Sequence, residues 1–119
     1  MAVDVWNEGT IENSERRYLN ITSDRKKVSI PIEEIRYVES NARKLMLYLA
    51  DGVISCYAKM SDVESILKEN GFIRIHQSFI VRKNEIRRVT RESLLFQDRE
   101  LPISRRYYND VRKITFNES

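Results

Sequence analysis

Phe72-Ile73-Arg74-Ile75-His76-Gln77-Ser78-Phe79-Ile80-Val81 is a pair of apolar runs broken by a short polar tip that holds the single histidine of the chain. Side chains alternate across a strand, so Phe72, Arg74 and His76 are expected on one side and Ile73 and Ile75 on the other. The flanks would anchor a tip that projects polar groups toward a partner. Arginine recurs beyond it, at Arg82, Arg87, Arg88, Arg91, Arg99, Arg105, Arg106 and Arg112.

Working outward, short strand signals dominate. Residues 18–22 and 27–30 read as strands around the turn 23–26, and Pro31 with Glu33 and Glu34 suits a short helical turn. Alternation resumes over 35–39, followed by a polar connector over 40–44. Residues 45–50 and 53–58 then flank Asp51-Gly52, a pair that tolerates the two positive φ angles of a type I′ hairpin turn. Ser61-Asp62-Val63-Glu64 fits a capping box. Val63, Ile66 and Leu67 follow at helical spacing, and Gly71 is placed to end the helix. After the tip, 79–81, 85–90, 94–96 and 100–103 read as strands. Ser104 is positioned to cap a last helix with Tyr107, Val111 and Ile114 on one face. The expected fold is mainly β with short helices, a β-rich α+β arrangement of short antiparallel sheets.

The polar opening lacks periodicity, which predicts a linker or disordered segment over 1–16, a domain over 17–116 and a tail over 117–119. A chain of 119 residues holds one core. Hydrophobic residues make up 41% and charged residues 33%, as in a soluble domain, and no apolar run approaches the roughly 18 residues that a membrane span needs. Met1-Ala2-Val3-Asp4 does not open a secretory signal, so the expected setting is cytoplasmic, which agrees with the unpaired Cys56.

The net charge of +3 hides an asymmetry. Residues 1–73 carry ten Lys and Arg against twelve Asp and Glu, whereas residues 74–113 carry eleven against five. A basic half of this kind attracts polyanions by releasing their counterions. Catalysis and metal binding have little to work with: Cys56 and His76 lack paired-ligand spacing, and the glycines form no phosphate loop. Arg105 and Arg106 stand at the start of a predicted helix, where the dipole disfavours cations, so a role outside the fold is indicated. Arginine offers a planar donor fork suited to guanine edges and phosphates, and Gln77 can pair with adenine through two hydrogen bonds.

Ile35-Arg36-Tyr37-Val38-Glu39-Ser40, a hairpin, a capped helix, the 72–81 stretch and Leu101-Pro102-Ile103-Ser104-Arg105-Arg106, in this order, resemble the LytTR DNA-binding domain family. The likeness runs from about residue 17 to 116. It implies the output domain of a bacterial transcriptional response regulator, part of a two-component system, with an elongated β-rich fold whose loops enter successive major grooves. Carried over by position, Gln77, Arg105 and Lys44 would contact bases, and Asn41, Arg43, His76, Ser78, Arg82, Ser104 and Arg106 would contact the backbone or support the readers. Family members often have asparagine directly after the Phe-Ile-Val run; this chain has Arg82 there, and Asn84 two residues on.

The resemblance further implies double-stranded DNA with repeated promoter sites, pairing of copies on DNA, an upstream receiver domain, and neither cofactor, metal nor membrane. A receiver does not fit in this length, so the chain reads as an excised output domain or a stand-alone regulator, and the polar opening, which suits an interdomain linker, favours excision. Two other readings stay open from the residues alone. One is a protein-interaction module using the same basic face on an acidic partner. The other is a single-stranded RNA binder, which wants exposed aromatics among the basic residues, as at Tyr107 and Tyr108.

Overall fold

The computed structural model describes residues 17–114, so the expected linker over 1–16 and everything from residue 115 onward lie outside the described residues. Ten strands form three antiparallel sheets, of two, five and three strands. β1 (Tyr18–Ser23) and β2 (Lys26–Pro31) make the first, a hairpin whose turn residues Asp24 and Arg25 both have positive φ, 57° and 68°. The central sheet takes β3 (Ile35–Asn41), β4 (Lys44–Leu49), β5 (Gly52–Tyr57), β6 (Phe72–His76) and β7 (Phe79–Arg82) in the order β5-β4-β3-β7-β6. The third sheet takes β8 (Ile86–Val89), β9 (Ser93–Phe96) and β10 (Arg99–Pro102). Helices α1 (Met60–Lys68) and α2 (Arg105–Arg112) complete the domain, which measures 39 × 35 × 25 Å.

The central sheet is covered on both faces. One face packs Val38, Leu45, Leu47 and Ile80 against the β1–β2 hairpin and Val63 and Leu67 of α1. The opposite face packs Tyr37, Ile75 and Val81 against the third sheet and Val111 of α2. β3 runs through the middle, which is why the neighbouring residues Tyr37 and Val38, on opposite faces of the sheet, are both buried. A register shift between Ile35 and Tyr37 assigns these two residues to different faces. Fully burying a side chain of this size is worth roughly 1.5–3 kcal/mol, so either layer alone would leave a destabilising apolar face.

Several local expectations need correction. The connector over 40–44 is a tight turn: β3 continues to Asn41, β4 begins at Lys44, the two pair directly, and Ala42 takes φ 61°. The β4–β5 turn falls on Ala50 and Asp51, with Gly52 already in β5 and none of the three at positive φ. The register explains the shift, because Leu45 opposite Cys56 and Leu47 opposite Ile54 must point to the same apolar layer. α1 starts one residue before Ser61. Its N-cap is Lys59, whose backbone N–H donates to the Asp62 carboxylate at 3.0 Å. Ser104 precedes α2 but makes no side-chain cap bond. On α2 the apolar side is formed by Tyr108 and Val111, with Ile114 joining them just past the helix end; Tyr107 lies outside the cluster. Finally, 83–85 form a 3-10 turn before β8 begins.

Alternation along β6 holds from Phe72 to Ile75 and then breaks. A register shift between Arg74 and His76 leaves Ile75 without a direct partner, and the His76 ring meets Phe79 edge-on, 5.8 Å between centroids. Phe79 packs against the same cluster as Ile75, so His76 does not share the side of Phe72 and Arg74. Among the described residues, no helix is long and apolar enough to cross a membrane.

Candidate nucleic-acid interface

Strand order brings distant polar segments to one end of the central sheet. β3 lies between β4 and β7, antiparallel to both, so the β3–β4 turn and the β6–β7 turn emerge side by side. The Ser40 N–H donates to the Ser78 carbonyl at 2.9 Å and joins them. The start of α2 is pinned to the same end by the Ser104 N–H, which donates to the Ile75 carbonyl at 3.0 Å. A fourth segment follows, because the Ile103 N–H donates to the Glu92 carbonyl at 2.9 Å and holds the β8–β9 turn against the entry to α2. These are backbone pairs, which fix the relative position of the segments that they join.

The groups presented there are polar and cationic. Asn41, Arg43, Lys44, Gln77, Arg91, Arg105 and Arg106 are all exposed. Lys44 Nζ stands 5.4 Å from the centroid of Tyr57, its ladder partner on β5. Between the β3–β4 turn, the start of α1 and the tip lies an open cleft of about 720 Å³, with Arg43, Tyr57, Lys59 and Gln77 among its walls. His76 is part of the tip's internal bonding: its Nδ1 accepts the Ser78 N–H at 3.0 Å. Acceptance at Nδ1 puts the proton of the neutral ring on Nε2, which leaves that N–H as the donor to the outside.

The sequence profile of the LytTr DNA-binding domain family matches residues 25–115. The chain belongs to this family. Among solved structures, a LytTr DNA-binding domain of a methyl-accepting/DNA response regulator from Bacillus cereus superimposes with a TM-score of 0.66 at 22% identity, covering 82% of this chain and 94% of that one. That likeness shows the shared fold. Comparison with curated proteins finds no match.

Within this LytTr domain the candidate residues separate by position. Asn41, Arg43, Lys44, His76, Gln77, Ser78, Ser104, Arg105 and Arg106 are gathered at the end just described. Arg82 is not. It sits at the far end of the β6–β7 hairpin, opposite Phe72, where Nε and Nη2 donate to the carbonyls of Ile32 and Ile35 and the guanidinium lies 4.7 Å from the Phe72 ring centroid. Burial pulls its pKa down, an effect that matters little for a guanidinium.

Two arginines that face this end carry no sequence signal of their own. Arg91 reaches it through the β8–β9 turn and lies 5.5 Å from the Tyr108 ring centroid. Arg74, inside β6, reads from sequence as an alternating strand residue, yet its guanidinium turns along the strand toward the tip carbonyls. The faces of Tyr107 and Tyr108 are both approached by guanidinium groups, from Arg74 and Arg106 on the first ring and from Arg91 on the second. Rings so covered are poor stacking platforms for single-stranded bases.

Proposed function

We propose that this domain binds double-stranded DNA sequence-specifically as the output of a bacterial transcriptional response regulator, with its turns entering the major groove. The observation that carries the reading is the convergence of the β3–β4 turn, the β6–β7 tip and the start of α2, tied by backbone bonds from Ser40 to Ser78 and from Ser104 to Ile75. Family membership supports DNA as the partner. In this reading Gln77 and Arg105 read base edges and Lys44 is a third reader, because each is exposed at that end and carries donors suited to groove edges. Arg43, Arg106, His76 and the newly placed Arg91 hold phosphates, which fixes register without carrying sequence information. An upstream receiver, repeated promoter sites and pairing of copies on DNA belong to the same proposal.

Selection of bound fragments from random duplex DNA tests it. The expected result is a short recurring motif, bound in preference to its scrambled version, with affinity that falls as salt rises by about 0.9 log units per log unit for each phosphate neutralised. Enrichment of no motif, with equal affinity for all duplexes, would reject sequence-specific reading.

A further inference from the structure

Arg74 gives one donor from each of its three guanidinium nitrogens to a protein group. Nε donates to the His76 carbonyl at 3.2 Å, Nη2 to the Gln77 carbonyl at 2.8 Å, and Nη1 to the Glu64 carboxylate at 2.8 Å. The group also lies 5.4 Å from the centroid of Tyr107, the same ring that Arg106 approaches at 5.4 Å. Glu64 belongs to α1 and Tyr107 to α2, so one side chain on β6 touches the tip and both helices. Only 15% of the Arg74 side chain and 25% of that of Glu64 is exposed.

These facts separate two roles for a cation near DNA. A phosphate contact needs free N–H groups in water, whereas Arg74 has spent a donor on every nitrogen and is mostly covered. A planar fork with three fixed acceptors is instead a rigid bracket. Its two bonds to consecutive carbonyls set where the Gln77 backbone sits, and the Glu64 pair and Tyr107 contact set the bracket itself. A reading side chain must be held to within roughly 0.5 Å of its productive position by the residues behind it.

We infer that Arg74 is a positioning residue for base recognition, a brace that holds the Gln77 tip in fixed relation to α1 and to the Arg105-Arg106 start of α2. The inference rests on the DNA-reading proposal above and adds to it a specificity determinant that does not itself touch DNA.

Arg74→Lys tests this. Lysine keeps the charge and can keep the Glu64 pair, but one ammonium cannot span both tip carbonyls and lie flat against Tyr107. Affinities of the parent and the variant are measured for the duplex selected from random DNA and for its scrambled version, alongside the salt slope and a thermal melt. The expected outcome is a cooperative melt, an unchanged salt slope and scrambled-duplex binding, and a ratio of selected to scrambled affinity lowered at least about fivefold, the scale of one lost base contact. A second variant, Glu64→Ala, leaves Arg74 in place and frees one arm of the brace; it should lower the same ratio by a smaller factor.

A parental ratio in both variants would overturn the inference. So would an equal loss on both duplexes, which would make Arg74 a general contact. If the parent protein itself prefers no selected duplex, the DNA-reading proposal falls and this inference with it, so the two failures are distinguishable.

Discussion

Arg82 and Ile35 are joined by two hydrogen bonds, from Nε at 3.1 Å and from Nη2 at 2.6 Å to the same carbonyl. Nη2 also donates to the Ile32 carbonyl at 2.7 Å, so one side chain of β7 satisfies the backbone on both sides of the 3-10 turn Ile32–Glu34. That turn carries the chain from the β1–β2 hairpin into β3, so Arg82 ties the first residue of the turn to the first residue of the central strand. The long arginine fork does this work at a position where the family often has asparagine.

Arg82→Ala should therefore act on stability and not on recognition. Hydrogen bonds from a charged donor are worth about 1.5–3 kcal/mol, and the Ile32 carbonyl would keep only the Ile35 N–H as its donor. The melting temperature should fall by roughly 10 °C, at about 4–8 °C per kcal/mol for a domain of this size. The ratio of selected to scrambled duplex affinity should stay at the parental value at a temperature where the variant is folded. A changed ratio with an unchanged melt would return Arg82 to the DNA surface.

Base readers and phosphate contacts should separate by substitution. Gln77→Ala and Arg105→Ala should each reduce discrimination at one base position by about 1–3 kcal/mol. Arg43→Ala and Arg91→Ala should weaken binding to all duplexes almost equally and reduce the salt slope by about 1 each. Affinities across a panel of single-base variants of the selected site provide the check. Equal effects of all four substitutions on every duplex would remove the division of roles.

The strands were legible in the sequence because their alternation and turn residues are local, as at 45–50 and 53–58. The turn chemistry was less so. Asp51-Gly52 carries the strongest hairpin signal, yet neither residue takes positive φ, because burial of Leu45 and Leu47 sets the β4–β5 register and overrides the preference of the loop; the positive φ pair occurs in the β1–β2 turn, at Asp24 and Arg25. The two-sided burial of β3 follows from strand order, which no local pattern encodes. Gln77, Arg105 and Lys44 are named by resemblance and residue chemistry, and the structure shows that all three are exposed at one end of the central sheet. Of Arg74, Arg82 and Arg91, the sequence reading assigns a DNA-side role to Arg82 alone, the one that the structure places at the far end of the β6–β7 hairpin. Only the tertiary structure gives each a different set of partners: tip carbonyls, inter-strand carbonyls and a tyrosine face.

Stability should fall on the alkaline side. Burial raises the pKa values of Tyr37 and Tyr48 above the usual 10 and that of Cys56 above 9, and Tyr48 has an added cause in the Glu39 carboxylate to which its hydroxyl donates at 3.2 Å. Each group stays protonated in the folded chain at a pH where the unfolded chain has begun to ionise. The unfolded state then binds fewer protons, so stability is fully present below about pH 9 and declines as pH rises through 9 and 10. Denaturant titrations from pH 7 to 10.5 should show this decline, and Tyr48→Phe, which keeps the stacked ring at 4.5 Å from Tyr37, should make it shallower. A stability constant over that range would show that these groups titrate alike in both states.

Pairing on DNA should depend on helical phase. The proposed reading surface occupies one end of a domain that measures 39 × 35 × 25 Å, so a single copy would cover little sequence, and under the proposal two copies on repeated half-sites would supply the rest. Copies on the same face of the duplex lie one helical turn apart, about 10 base pairs or a multiple of it. Adding about half a turn carries the second copy to the opposite face and separates the two protein surfaces without altering either half-site. Binding of two copies across a spacer series should therefore oscillate with the helical repeat, while the affinity of one copy for one half-site stays constant. A flat response would show that the copies bind independently and that any coupling between them is made by another part of the regulator.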